Sequence, residues 1–455
     1  MNESTTPVSK QFTSCASLAA LGVKLRELKV FQPIEQTVQI AQKTIKDSPT
    51  DKLYDALISM LAGAHGLVEI NTRLRADAAL QRAFGRSRCA EQSVVQDTLN
   101  ACTTTNVEQM EQALDTIYRQ HSQGYQHDYQ VDFQILDVDM SGMPCGPKAA
   151  FATKGYFAKH RNRRGRQLGR VLASRYQEVV VDRLFDGKTQ LTRALQPLML
   201  AAERTLQLDE AKRARTIVRH DAGGGSLDDV NWLLARGYQV HGKDYSGQQA
   251  KRLASTVEHW FTDPHQPERQ FGWVTEASNA YVRPVKRIAV RCRQQDGQWG
   301  VGVLLSTLSA RQVLVLTGQP LCLLDDPAAV LLAYVTFYDQ RGGGVETSFK
   351  GDKQGLGKRS KKRFAAQQMA MLLGTLAHNV IIWARCWLAC PTLHHYGMVR
   401  MVRDVFHISG FLLTDACGQV TQIVLNQAAP LASALVHPLR KLLACAHVAV
   451  NLGQT

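Results

Sequence analysis

The sequence predicts an α/β protein: a mixed sheet with flanking helices, a helical region before it, and a block of extra strands inserted late. Three observations carry this. Residues 131–142, VDFQILDVDMSG, alternate and are rich in apolar and β-branched side chains, the pattern of a strand. Residues 215–245, RTIVRHDAGGGSLDDVNWLLARGYQVHGKDY, read as strand, glycine turn, helix and strand in turn. The region 1–128 instead repeats apolar positions at helical spacing.

Taken in order, residues 49–74 open with Pro49 and Thr50 at a helix start, and two further helical units follow at 84–103 and 106–123. Short helices between polar breaks suit a helix-turn-helix-like module that places a helix in a DNA groove. A bundle that only packs on the remainder of the chain is the alternative. The next strand, 131–142, is expected to end at Asp137 and Asp139, whose side chains point the same way because they are two apart. The densest basic run follows, Lys159 to Arg170, KHRNRRGRQLGR. Its Arg163, Arg164 and Arg166 suit phosphate contacts, with a solvated loop as the alternative.

Residues 178–185 predict another strand, and 189–208 a helix that Pro197 kinks or interrupts. Asp221 lies at the carboxyl end of the strand after it, where ligands collect in α/β sheets, and three glycines beside it allow close backbone approach. That glycine run has the wrong spacing for a dinucleotide fingerprint. From 260 to 325 the pattern turns β-rich. Asp326-Pro327 then caps a helix leading into YDQRGGGVETSFKGDK, residues 338–353. Glu346, Lys350 and Lys353 stack on one helix face, a carboxylate for a cation flanked by amines for an anion. A solvated face with weak charge pairs is the bland alternative. Two strands around residues 415–418 and a final amphipathic helix over 430–450 complete the chain. The division expected is 1–128 helical and DNA-end-binding, 129–259 and 326–400 the two parts of a catalytic core, 260–325 the insertion, and 401–455 terminal strands and helix.

A net charge of +15 over 455 residues points to a polyanionic partner, nucleic acid before membrane. MNESTTPVSKQF lacks the basic flank and apolar core of a leader, so none is expected. The run Phe364 to Ala384 has membrane length, but Gln367, Gln368, Thr375, His378 and Asn379 suit a buried core helix better. Ten scattered cysteines without a CxxC suggest a reducing, cytoplasmic setting. Cys386 and Cys390, with His394 and His395 nearby, faintly suggest zinc, yet their apolar neighbours favour buried structural thiols.

Asp139, Asp221 and Glu346 therefore stand out as candidate acids, with Asp137 facing the same way as the first. Carboxylates so gathered can hold two divalent ions for in-line phosphoryl transfer, and Mg²⁺ suits oxygen ligands. LDVDMSG, RHDAGGG and YDQRGGGVETSFKGDK together resemble the three signatures of bacterial insertion-sequence transposases of the DDE type, in particular cut-and-paste enzymes with a β-strand insertion. The resemblance covers about residues 130–450. It implies an RNase H-like core, Mg²⁺ or Mn²⁺, cleavage at element ends and strand transfer into target DNA. It also implies a homodimer holding inverted repeats, with the protein on the nucleoid when DNA-bound. Asp139-Met140-Ser141 matches the family's Asp, any residue, Ser/Thr, which implies Asp139 as the first catalytic position with Asp137 the second choice, and Asp221 and Glu346 as the next two. Tyr338, Arg341 and Lys353 resemble the family's accessory residues that contact phosphate. Arg341 and Glu346 have four residues between them where the commoner pattern has three, and Gly342 to Gly344 are placed to absorb the extra one. An RNase H-fold nuclease that cuts without joining, and an inert DNA-binding remnant of a mobile element, are the alternatives.

Overall fold

The computed structural model describes residues 9–43, 46–157, 160–244, 246–356 and 361–454. The strands in chain order begin with β1 (Ser9–Thr13), β2 (Gln134–Pro144), β3 (Thr153–Phe157), β4 (His160–Ala173) and β5 (Glu178–Asp186). Next come β6 (Thr216–His220), β7 (Gln239–Lys243), β8 (Phe261–Asp263), β9 (Gln266–Trp273) and β10 (Lys286–Arg293). The last are β11 (Trp299–Ser306), β12 (Gly410–Thr414), β13 (Val420–Asn426) and β14 (Ala449–Gly453). The chain divides into a terminal unit, Met1–Ser122 with Lys148–Ala150 and Phe349–Thr455, and a central unit, Gln123–Pro147 with Phe151–Ser348.

In the central unit β2 is the axis of the sheet. β4 runs antiparallel to it from Leu136↔Ala173 to Pro144↔Gly165, and β6 runs parallel from Gln134↔Thr216 to Val138↔His220. β7 lies parallel on the far side of β6. The other edge of β4 is shared, its first half with β3 and its second with β5. The order is thus β5-β4-β2-β6-β7, three antiparallel strands followed by two that run with β2. Parallel neighbours need long crossovers. The helices Leu191–Leu206 and Leu227–Ala235 supply them. The first runs on through Pro197 and packs so closely at Gly169 that a Cβ there would stand 2.7 Å from Leu198.

The late β-rich block extends this sheet. β11 pairs antiparallel with β7 at Leu304↔Lys243, and β10, β9 and β8 follow outward. The helix Pro327–Arg341 starts at Asp326, whose carboxylate accepts from the backbone N–H of Ala328 and Ala329. Its Leu331, Tyr334 and Phe337 share one apolar cluster with Ile217, Ile288 and Leu304 of the sheet. Two sequence expectations change here. β2 continues past Asp139, because β4 offers it partners as far as Pro144. The basic run is that partner strand, so its described side chains alternate between two faces.

In the terminal unit, β1 pairs antiparallel with β12, β12 with β13, and β14 lies parallel to β13. The expected terminal helix stops at Leu442 and the residues beyond Val448 form β14. Phe364–Leu388 is the one helix among the described residues with the length and hydropathy to cross a membrane, and 89% of its most apolar window is buried inside the protein. The helices Pro49–Leu61 and Thr104–His121 pack against it. Asp352 accepts a 2.7 Å contact from His378 in this core. Arg86, just ahead of the helix Gln92–Ala101, pairs with Asp51 and Asp55. All ten cysteines are free thiols, Cys390 buried and Cys386 half-buried.

Candidate functional site

The register of the parallel pair β2 and β6 decides where the first two acids meet. The pairing holds one constant offset from Gln134↔Thr216 to Val138↔His220, so one further step sets Asp139 beside Asp221. Neighbouring strands lie about 4.8 Å apart. Asp221 leaves the strand as the cap of a short turn, its Oδ1 accepting the N–H of Gly223 at 2.9 Å.

The third acid comes from the helix. Beyond Arg341 the backbone widens into a π-turn over Gly342–Glu346 before the helix Thr347–Gly355. Glycines resist a regular α-helix, and a π-turn accommodates one extra residue. The side chain of Thr347 donates to the Gly342 carbonyl at 2.9 Å. The wider turn therefore returns Glu346 to the side of Arg341. Arg341 Nη1 lies 3.1 Å from Glu346 Oε1 and Nη2 lies 3.0 Å from Asp139 Oδ2. A second clasp fixes the turn to the sheet. Arg170, opposite Asp139 on β4, holds Asp182 with both arms of its fork and donates to Ser348 Oγ at 3.0 Å.

Asp137 faces the same way as Asp139 but has another task. Arg219 grips it through Nε to Oδ1 at 2.6 Å and Nη2 to Oδ2 at 2.9 Å, while Nη1 donates to the Phe337 carbonyl. Ser174 donates to the same carboxylate. Asp137 has no exposed surface and is taken up by Arg219, so of the two candidates for the first position Asp139 is the one in contact with Arg341. Gly344 packs onto this clasp, and a Cβ there would stand 2.6 Å from Asp137 Oδ2. Since Arg219 prevents Asp137 from yielding, Gly344→Ala is expected to cost about 1–3 kcal/mol, read as a lowered midpoint in urea unfolding.

Burial raises the Asp139 carboxyl to about 6, against a lowering by Arg341, and Asp221 and Glu346 push the same way as burial. The sign for stability follows from linkage. A native pKa above the unfolded 3.8 favours the protonated folded chain, so this contribution is lost as pH rises from 3.8 to about 6. Urea titrations across that window should show falling stability in the metal-free chain, and Asp139→Asn should flatten it. Tyr338, which reaches the same field, is pushed up to about 12 by burial. Two buried histidines lie on the neighbouring strands β6 and β7. His220 Nδ1 meets the Asp221 carbonyl at 2.9 Å and His241 Nε2 the Tyr334 carbonyl at 3.1 Å. Burial lowers both, His241 to about 3, which keeps its ring neutral.

The other expected phosphate contacts fall in both units. Arg163 and Arg164 are exposed on β4, and Lys350 and Lys353 are exposed on Thr347–Gly355, in the terminal unit. Arg166 is fully buried on β4, out of reach of a DNA backbone, because strand pairing turns it inward. Lys159 lies outside the described residues. Arg341 meets the acids themselves. Arg219 escaped the sequence reading, though it stands two residues before Asp221 as Asp137 stands two before Asp139. Among the described residues no three His, Cys, Asp or Glu side chains are close enough to hold a metal ion in this conformation. The donor set nonetheless fits a hard cation. Its donors are carboxylate oxygens, two of which lie against the buried guanidinium of Arg341.

No family model matches the chain, and no curated protein matches it in sequence. Among solved structures it is similar to a piggyBac transposase in a synaptic complex with hairpin DNA, studied by cryo-EM. The match covers 95% of this chain and 84% of that one, at 11% identity and a TM-score of 0.44.

Proposed function

We propose that the central unit is an RNase H-like catalytic core and that the chain is a DDE-type DNA transposase of insertion-sequence kind. One observation carries the reading: carboxylates from a strand and a distant helix turn come together on one cation position, with a third acid one register step away. The strand order, with three antiparallel strands and then two parallel ones, supports the same core. Asp139, Asp221 and Glu346 would hold Mg²⁺ or Mn²⁺, which would activate a water or 3′-hydroxyl and stabilise the leaving oxygen.

The chain's own groups do the rest. Asp137, Arg219 and Ser174 hold β2 and β6 in register so that Asp139 and Asp221 stay adjacent. Arg170 and Ser348 hold the turn that carries Glu346. Burial lowers both His220 and His241, and neutral His241 stands among Tyr334, Phe337 and Tyr338 without adding positive charge. Exposed Arg163 and Arg164 are suited to the DNA backbone. The reading brings with it a homodimer that pairs two element ends, and a cytoplasmic protein that joins the nucleoid when bound to DNA.

Incubating the protein and Mg²⁺ with a plasmid that carries its own reading frame and flanking DNA tests this. Cleavage at both flanks with joining to a second plasmid is the expected result. Cutting without joining identifies a nuclease of the same core, and binding without nicking an inert remnant. In the same system Arg164→Ala, on the strand face that also carries Arg170 opposite Asp139, should reduce the slope of log affinity against log salt by about 0.9, measured by fluorescence anisotropy on duplex DNA.

A further inference from the structure

We infer that Arg341 sets the metal affinity of the acid cluster, its guanidinium being the resting counter-cation that a divalent ion must displace. This rests on the reading of Asp139, Asp221 and Glu346 as metal ligands. Arg170, Arg219 and Arg341 all stand near these acids, and they are held very differently. Arg170 and Arg219 each grip a buried aspartate with two hydrogen bonds and a further polar group with a third arm. Arg341 has one hydrogen bond, from Nη1 to Glu346, a residue whose side chain is 59% exposed. Its Nη2 lies 3.0 Å from Asp139 yet is not aligned to donate to it, and neither Nη2 nor Nε has a hydrogen-bond partner.

The side chain is nevertheless only 4% exposed. A buried guanidinium with unmet donors is costly, so charge attraction to the acids holds it there. An ion chelated by Asp139 and Glu346 would need the same oxygens and would repel the guanidinium. The two cations therefore exclude one another, and of these three arginines Arg341 is the one with the fewest hydrogen bonds to break on leaving. By reciprocity, any anion that draws Arg341 outward, such as a phosphate of bound DNA, tightens metal binding by the same factor that metal tightens DNA binding.

Mn²⁺ titration of the full chain, followed by the loss of the free-ion EPR signal, tests this without any reaction. Arg341→Gln is expected to bind Mn²⁺ tighter than wild type by roughly 5- to 150-fold, the usual range of such couplings. Added duplex DNA should tighten binding to wild type but not to the variant. Arg341→Lys keeps one charge with a shorter reach and serves if the Gln variant does not fold; its affinity should lie above that of wild type. Equal affinity of wild type and the folded variant overturns the inference and leaves the metal site standing. Wild-type binding that Asp139→Asn does not weaken, or no binding by any of these proteins, overturns the metal-site reading itself.

Discussion

Asp139→Asn is expected to reduce Mg²⁺-dependent nicking of duplex DNA by on the order of 10²–10³-fold or more, the scale on which single charge-stabilising groups are felt. The fold should survive it. The Asp139 side chain is not fully enclosed, and burial already holds its carboxyl up near 6 despite the nearby Arg341. A neutral isostere removes a charge that the native state disfavours above that pH. Plasmid nicking and thermal unfolding, measured side by side at neutral pH, should show activity lost and stability kept.

Two residues earlier the same substitution should do the opposite. Asp137→Asn leaves Arg219 charged and buried against a neutral partner, and losing one member of a buried pair costs about 3–5 kcal/mol. Both side chains are almost wholly enclosed, so solvent screening offers little relief. Urea unfolding is the direct measure, and a large drop in midpoint is expected before any question of catalysis arises. A stable but inactive Asp137→Asn beside an unfolded Asp139→Asn would exchange the two assignments.

The contrast between these neighbours shows what the sequence could and could not tell. Strand alternation put Asp137 and Asp139 on one face, and the structure has both there. Which of them faces the other acids depends on Arg219, which reaches Asp137 from the neighbouring strand. The repeated spacing of Arg219-x-Asp221 and Asp137-x-Asp139 was readable, but the pairing needs the parallel register of β2 and β6. The wide step from Arg341 to Glu346 was legible as an irregularity beside three glycines. That it becomes a π-turn is a matter of packing, since Gly344 must pass close to Asp137. The fate of Arg166 had no local sign. A basic run is buried or solvated according to the strands beside it, and β4 has neighbours on both edges. β1 and β14 escaped for the same reason. Their partners β12 and β13 are set by tertiary pairing, which for β1 joins segments from opposite ends of the chain.

Asp139, Asp221 and Glu346 are proposed to share one divalent-cation site. Anomalous diffraction from crystals of the protein grown or soaked with Mn²⁺ tests it most directly. A peak is expected about 2.1 Å from carboxylate oxygens of Asp139 and Asp221, with Glu346 completing the shell. A peak bound away from these carboxylates would rule the shared site out.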